Sequence, residues 1–422
     1  MDNTWAKGNE EQAEEFSKHL QNTFSPYEIN NSIPRWQTNK EVENASNTTD
    51  KRCTILSTTA QEVTNLIKAT KTSKAPGFHL INGKILKNLT PKAIRLTTII
   101  FNAILRIQYF PALWKIAQTV MLPKPNKNSH LTASYRPISL IPAFFKLLEK
   151  IIYNRLKPTI EKEKLIPNHQ FGFRNKHSII EQMHGLVNEI LQAQETKQYC
   201  TALFMDIEKV FDKVNHEKLL RTIRKQFPEQ IYNLLKSHLN NRNFVVKIND
   251  AYSEIKDIKA GIPQGSVLGP ILYTLYTADI STSVYSKILA FAFDTATLVR
   301  HANSETAVAL LQEHITKIEK WLQNKQVKVA SKLRKGKTPD IQLNGAHIAQ
   351  TKQGKYLGIH LDTHLTWKHR IKSIINSIHG KRKQMYWLTN KKSKLSIMNK
   401  LNISNQSGYT ESHYGGRQQW IT

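Results

Sequence analysis

The sequence predicts a mixed α/β chain, long enough for about two or three domains and charged to meet a polyanion. One observation is a short apolar run that stops on a carboxylate. In CTALFMDIEKVFDKVNHEKLL, residues 200–220, Ala202–Met205 reads as a buried strand ending at Asp206. Ile207, Val210, Phe211, Val214 and Leu219 then follow at near-helical spacing. Another is a set of long amphipathic helices. Phe145, Leu148, Ile152 and Leu156 recur three or four apart, as do Val308, Leu311, Ile315, Ile318 and Leu322. The last is charge: 61 Lys+Arg against 32 Asp+Glu among 422 residues give +29.

That charge is spread from Lys68 to Arg417 rather than gathered in a tail, so nucleic acid is the expected partner. A membrane surface fits less well, because no helix pairs a basic face with a strongly apolar one along its length. The longest apolar stretch, Leu96–Ile107, is too short and polar to span a bilayer, and no signal peptide is visible at Met1. Cys53 and Cys200 form no CxxC spacing, which argues against a zinc knuckle or a disulfide framework and suits a reducing compartment.

Along the chain, 9–24 reads as a helix and 30–51 as a polar linker. Residues 58–70 read as a capped helix, followed by KTSKAPGFHLI, whose lysines flank a Pro-Gly turn. A helix is expected at 91–108 and a strand at 114–122. Arg136 lies in an Arg-Pro context that keeps it off the helix behind it. Arg174 lies in the Gly-containing loop HQFGFR ahead of another long helix. Loop arginines suit a triphosphate or a nucleic-acid backbone; the alternative is solvated surface charge. Residues 243–248 and 254–258 form a hairpin pattern, which runs into GIPQGSVLGPILYTLYTADI. There Gly265 and Gly269 allow close approach to the backbone. KILAFAFDTATLVR, 287–300, reads as two strands around a tight turn near Phe293-Asp294. Short strands and a basic helix at 367–387 follow, and apolar periodicity stops after Lys400.

A carboxylate at a strand end, as at Asp206, offers hard oxygens to a divalent cation; the alternative is a helix cap. Taken together, LFMDIEKVFDKV, GIPQGSVLGPILYTLYTADI and AFAFDTATL resemble the palm motifs of reverse transcriptases, in family order. KAPGFHLI, SYRPISL, HQFGFR and KYLGIHLDTHLTWKHRI extend the likeness toward the non-LTR, jockey-like retrotransposon polymerases.

The resemblance implies a right-hand polymerase fold. Residues 1–52 would be a linker and helix, 53–195 fingers, 196–335 palm, 336–400 a thumb-like part and 401–422 an aberrant tail. It implies an RNA-directed DNA polymerase that uses Mg²⁺, with Mn²⁺ as an alternative, and deoxynucleoside triphosphates on an RNA template and DNA primer. Cytoplasm and nucleus are the expected compartments. Asp206 and Asp294 match catalytic, metal-binding aspartates. Phe211 matches the side chain that excludes a ribose 2′-OH, and it also suits a core aromatic. Pro263, Gln264 and Gly265 match the loop beside the nascent base pair, and Arg136 and Arg174 match finger residues facing the triphosphate.

The departures are specific. Where the family reads Phe-Ala-Asp-Asp, this chain reads Phe291-Ala292-Phe293-Asp294, so Phe293 stands at a metal-binding aspartate. His79 replaces an aspartate in KAPGFHLI. The segment after Lys328 is about ten residues shorter than expected. The tail after Lys400 departs from the family's apolar helix, and an upstream endonuclease domain is expected but absent from the sequence. A catalytically dead nucleic-acid-binding remnant is therefore the rival to an active polymerase.

Overall fold

A computed structural model describes residues 8–27, 55–125, 127–207, 210–325, 329–330, 341–348, 353–362, 365–390 and 392–402. The expected linker at 30–51, most of the segment after Lys328 that is expected to be short and the tail beyond Asn402 lie outside them.

Helix α1 (Asn9–Thr23) opens the fold. Then α2 (Ala60–Ala69) starts where the Thr59 side chain accepts the Glu62 N–H. A short α3 (Gly83–Lys87) leads to α4 (Pro91–Ile107), which begins with a Thr90 cap and ends where Gln108 turns left-handed. The strand expected from Trp114 begins later. Ala112–Lys115 is a 3₁₀ turn, and β1 runs Ile116–Pro123. Strand β2 (Tyr135–Leu140) carries Arg136, off the helix as the Arg-Pro pair requires. Helix α5 (Ala143–Lys162) follows, and a Ser178–Glu181 capping box starts α6 (Ile179–Glu195).

Strand β3 is Tyr199–Ile207, one residue beyond the expected end at Asp206. The single helix that the 207–219 spacing suggests is broken into α7 (Val210–Lys213) and α8 (His216–Gln226). Two contacts break it. The Asn215 side chain caps α8 by accepting from Lys218 N–H, and the Val214 carbonyl is taken by Gly261 N–H. After α9 (Glu229–Leu239), β4 (Arg242–Ile248) turns sharply into β5 (Ala251–Tyr252), and β6 (Lys256–Ile258) pairs farther back along β4. Helix α10 (Gly269–Tyr276), strands β7 (Lys287–Phe291) and β8 (Asp294–His301), and α11 (Ser304–Lys325) complete the centre. Beyond them come β9 (Val329–Ala330), the pair β10 (Ile341–Leu343) and β11 (Ala346–Ile348), and the pair β12 (Gln353–Tyr356) and β13 (Ile359–Asp362). Last are α12 (Lys368–Gln384) and α13 (Tyr386–Thr389).

The strands form two main sheets. In one, the order is β2-β1-β4-β5 with β6 also on β4, and α1 packs Leu20 and Phe24 against Phe244 and Val246. The other is antiparallel, in the order β7-β8-β3-β9. Leu203, Met205 and Val299 meet α11 on one face, through Leu311, Ile315 and Ile318. On the opposite face, Leu289, Ala296 and Leu298 meet Met183 and Leu186 of α6 together with Tyr356 of β12. Cover on both sides explains why β3 reads as a continuous apolar run rather than an alternating one. The largest core cluster lies apart from this sheet and joins α2, α4 and α5 to α8, α9 and α10.

Candidate nucleotidyl-transfer site

The register of the second sheet brings the two candidate aspartates together. Along β3 and β8, Phe204 pairs with Ala296, Met205 with Thr295 and Asp206 with Asp294. Asp206 and Asp294 are thus directly opposed at the ends of adjacent antiparallel strands. On the other side, Phe291 and Asp294 close β7 onto β8, so Ala292 and Phe293 form a two-residue turn, as the strand–turn–strand reading required.

Phe293 sits in this turn within a ring cluster. Its centroid lies 5.7 Å from Phe211, 6.0 Å from Tyr273 and 6.4 Å from Phe173. Phe211 is itself buried and lies 5.3 Å from Tyr273 and 6.0 Å from Phe173. Each such pair adds about 0.5–1.5 kcal/mol beyond burial, so the turn is stabilised by ring packing. A phenyl ring offers no oxygen to a cation. Phe211 is thus a core aromatic, one of the two positions considered for it, and its ring meets the turn through Phe293.

The loop at 260–267 is bound to the 211–216 segment by backbone and side chain. Ile262 N–H donates to Phe211 O at 2.6 Å and Gly261 N–H to Val214 O at 2.8 Å. His216 Nε2 donates to Gly261 O at 2.7 Å, and burial pushes this histidine down to about 4, so it is neutral at pH 7. Gln264 Nε2 donates to Asp212 Oδ1 at 3.0 Å, and the Gln264 carbonyl accepts Ser139 N–H at 3.0 Å. Gly265 has φ +125°, and a Cβ there would lie 2.6 Å from Ser139 O. No other residue fits so close to β2 in that conformation.

Beneath the loop lies a buried polar network. Glu149 of α5 is fully buried and accepts from Ser266 Oγ, from Val267 N–H at 2.8 Å and from His238 Nε2 at 2.8 Å. Burial lowers the His238 pKa despite the bond to Glu149, so its Nε2–H serves as a neutral donor. Arg242 is also buried nearby, and loss of solvent lowers it to about 10.

Arg136 is exposed on β2, opposite Leu122. Arg174 Nη1 donates to Pro167 O at 3.1 Å and Gln170 O at 3.2 Å, bracing its own loop. His79 Nε2 contacts Leu113 O at 2.9 Å and borders a cavity of about 340 Å³ lined by Trp114 and Phe144. Among the described residues, no group of three or more His, Cys, Asp or Glu side chains is arranged to hold a metal ion, and no helix is long and apolar enough to cross a membrane.

Sequence reasoning passed over Asp212, His216, Glu149 and Gln170. Glu149 carried a readable signal: it lies on the helical face of Phe145, Ile152 and Leu156, a charge where an apolar residue belongs. The other three act through partners distant in sequence, which periodicity does not reveal.

Opposed aspartates at the ends of adjacent strands are the arrangement that a polymerase palm would require. A family model for reverse transcriptase (RNA-dependent DNA polymerase) matches residues 122–361. The chain belongs to that family. It is 36% identical over 410 residues to the probable RNA-directed DNA polymerase from transposon BS of Drosophila melanogaster, covering 93% of this chain and 45% of that protein. It is 35% identical over 415 residues to the RNA-directed DNA polymerase from mobile element jockey of the same species, covering 94% and 45%. The X-element polymerase, also from Drosophila melanogaster, is 36% identical over 416 residues, covering 96% and 46%. The likeness to jockey-type, non-LTR elements agrees with the motifs. The chain spans about half the length of these curated relatives.

Proposed function

We propose that this chain carries the nucleotidyl-transfer core of a reverse transcriptase, extending a DNA primer on an RNA template with deoxynucleoside triphosphates. The observation that carries this reading is the direct pairing of Asp206 with Asp294 at the strand ends, in a chain of this family. In this reading 53–195 act as fingers, 196–335 as palm and 336–400 as a thumb-like part, and the protein works in cytoplasm and nucleus. Asp206 and Asp294 would hold Mg²⁺ or Mn²⁺. Their carboxylates are the hard donors these ions take, although Phe293 leaves the donor set short of one carboxylate. When bound, such ions place positive charge at the attacking and leaving oxygens of an in-line displacement.

The chain's own groups supply the rest. Phe211 forms an apolar floor that disfavours a ribose 2′-OH, because a hydroxyl against a buried ring lacks a partner. Gln264 and Gly265, held by Asp212 and by β2, present a rigid edge to the nascent base pair. In this reading Arg136 and Arg174 are the cations offered to the triphosphate, Arg174 while its Nη1 braces its own loop.

A second reading is favoured by Phe293: a protein that binds nucleic acid and synthesises little DNA. An outer-shell change at a metal site costs roughly 10–100-fold, and loss of a direct ligand costs more. Primer extension with Mg²⁺ and then Mn²⁺ separates the readings, comparing the unmodified chain, Phe293→Asp and Asp206→Ala. The expected result is weak or no extension by the unmodified chain and a gain of at least about 100-fold in Phe293→Asp. Robust extension by the unmodified chain, abolished in Asp206→Ala, would remove Phe293 as a lesion. No extension by any of them would leave the binding reading, which expects affinity for RNA and DNA to fall steeply with salt.

A further inference from the structure

We propose that Gln170 is a positioning residue for the 291–294 turn, holding Ala292 through a side chain that imitates a neighbouring strand. The role rests on the reading of Asp206 and Asp294 as the metal-binding pair, but the contact itself does not.

Ala292 is the difficult residue of the turn. Its φ is +57°, a left-handed conformation that disfavours an alanine. Its backbone is buried and lies past the last β7–β8 pair, so the hairpin ladder does not reach its N–H or carbonyl. Both still need partners. Gln170 supplies them from the loop that precedes α6. Its Oε1 accepts Ala292 N–H at 2.9 Å, and its Nε2 donates to Ala292 O at 3.3 Å. The same Oε1 accepts Gly172 N–H at 2.9 Å, which ties the carboxamide to its own loop. Gln170 is 4% exposed, so water does not compete for these groups.

The surrounding backbone supports this contact. Gln170 forms a parallel bridge to Ala290, with Phe171 N–H donating to Ala290 O at 2.8 Å and Ala290 N–H to His169 O at 2.9 Å. Gly172 lies so close that a Cβ built on it would fall 2.1 Å from Ala292 N. Only glycine permits that approach. Tyr273 Oη adds a longer contact of 3.4 Å to Ala292 O. The loop and the turn therefore form one hydrogen-bonded unit.

A primary carboxamide suits this place because it offers an acceptor and a donor in one plane, as a peptide group does. Glutamate has the same shape but sets an acceptor against Ala292 O, and leucine offers neither. The conformation of Ala292 directs residues 293 and 294, and a misplacement of about 1 Å in a reacting group costs on the order of 100-fold in rate.

The test is hydrogen–deuterium exchange on the full chain, comparing the unmodified protein with Gln170→Ala and Gln170→Glu. Exchange at residues 290–294 should rise at least tenfold in both, with the β4 amides at 244–248 nearly unchanged. A purely structural role would raise exchange in β4 in proportion. Unchanged exchange at 290–294 would overturn the proposal, and so would loss of folding in both variants. Acidification should partly restore protection in Gln170→Glu alone, since a protonated carboxyl regains the donor. In a Phe293→Asp background, Gln170→Glu should lower kcat at least tenfold with a smaller change in the KM for deoxynucleotide. If Phe293→Asp extends no primer, the polymerase reading fails, while the exchange result still decides the role of Gln170.

Discussion

The loop at 260–267 and the turn at 291–294 both contact Phe211, and they are held by opposite kinds of contact. The loop is held by polar groups: Asp212 on Gln264, His216 on Gly261, and Glu149 on Ser266 and Val267. The turn has a polar clamp at Ala292, but the next residue, Phe293, is held by rings. In the loop, the residues that the family resemblance assigns to nucleotide contact are retained together with their supports. In the turn a polar support at Ala292 stands next to a side chain that carries no oxygen. A strand register enforced by cover on both faces does not depend on an oxygen-bearing side chain in the turn.

The comparison can be broken most sharply at Glu149. Glu149→Ala would strip three donors of their buried acceptor and leave a cavity. We expect a loss of about 3 kcal/mol or more, since each buried donor left without an acceptor costs about 1–3 kcal/mol, read from urea unfolding. Glu149→Gln keeps one acceptor oxygen and should cost less. A loss below about 1 kcal/mol for Glu149→Ala would show that the loop stands on backbone contacts alone.

Acid offers a second way in. An unfolded histidine titrates near 6.5, whereas His216 in the fold is pushed down to about 4 by burial. The unfolded chain therefore binds the proton first. The contribution of His216 is fully present above about pH 6.5 and is lost as pH falls toward 4, at about 1.4 kcal/mol per pH unit. His238, also lowered by burial, acts in the same direction. Unfolding free energies at pH 7.5, 6 and 5 should fall across this window, and His216→Gln should flatten the slope. An equal slope in that variant would assign the acid sensitivity elsewhere.

The smallest expected effect sharpens the other half. Phe293→Asp should destabilise the protein by about 1–3 kcal/mol, through lost apolar burial and ring contacts, even where it increases synthesis. Phe293→Leu should fall between, keeping burial without the rings. A Phe293→Asp protein as stable as the unmodified chain would mean that the ring cluster contributes little to holding the turn.

Much of this could be read from the chain because local rules wrote it. The capped helix at 58–70, the helix at 91–108 and the three- and four-residue spacing of α5 and α11 each depend on neighbours within a few positions. The strand–turn–strand at 287–300 was equally plain, and β8 runs one residue farther. The reading failed at 207–219, where apolar spacing favoured one helix and Asn215 and Gly261 made two. It was also silent on Gln170, whose partner Ala292 lies 122 residues away.

By itself, then, the sequence determined the element types, the family motifs, the positive charge and the identity of Phe293, because each is a property of composition or short-range pattern. The tertiary structure alone decided that Asp206 opposes Asp294, that Phe293 joins Phe211, Phe173 and Tyr273, and that Glu149 and Gln170 support the loop and the turn. The physical reason is the range of the forces involved. Helix and strand preferences act over a few residues, whereas a buried polar group must be satisfied by whichever partner the fold brings within about 3 Å.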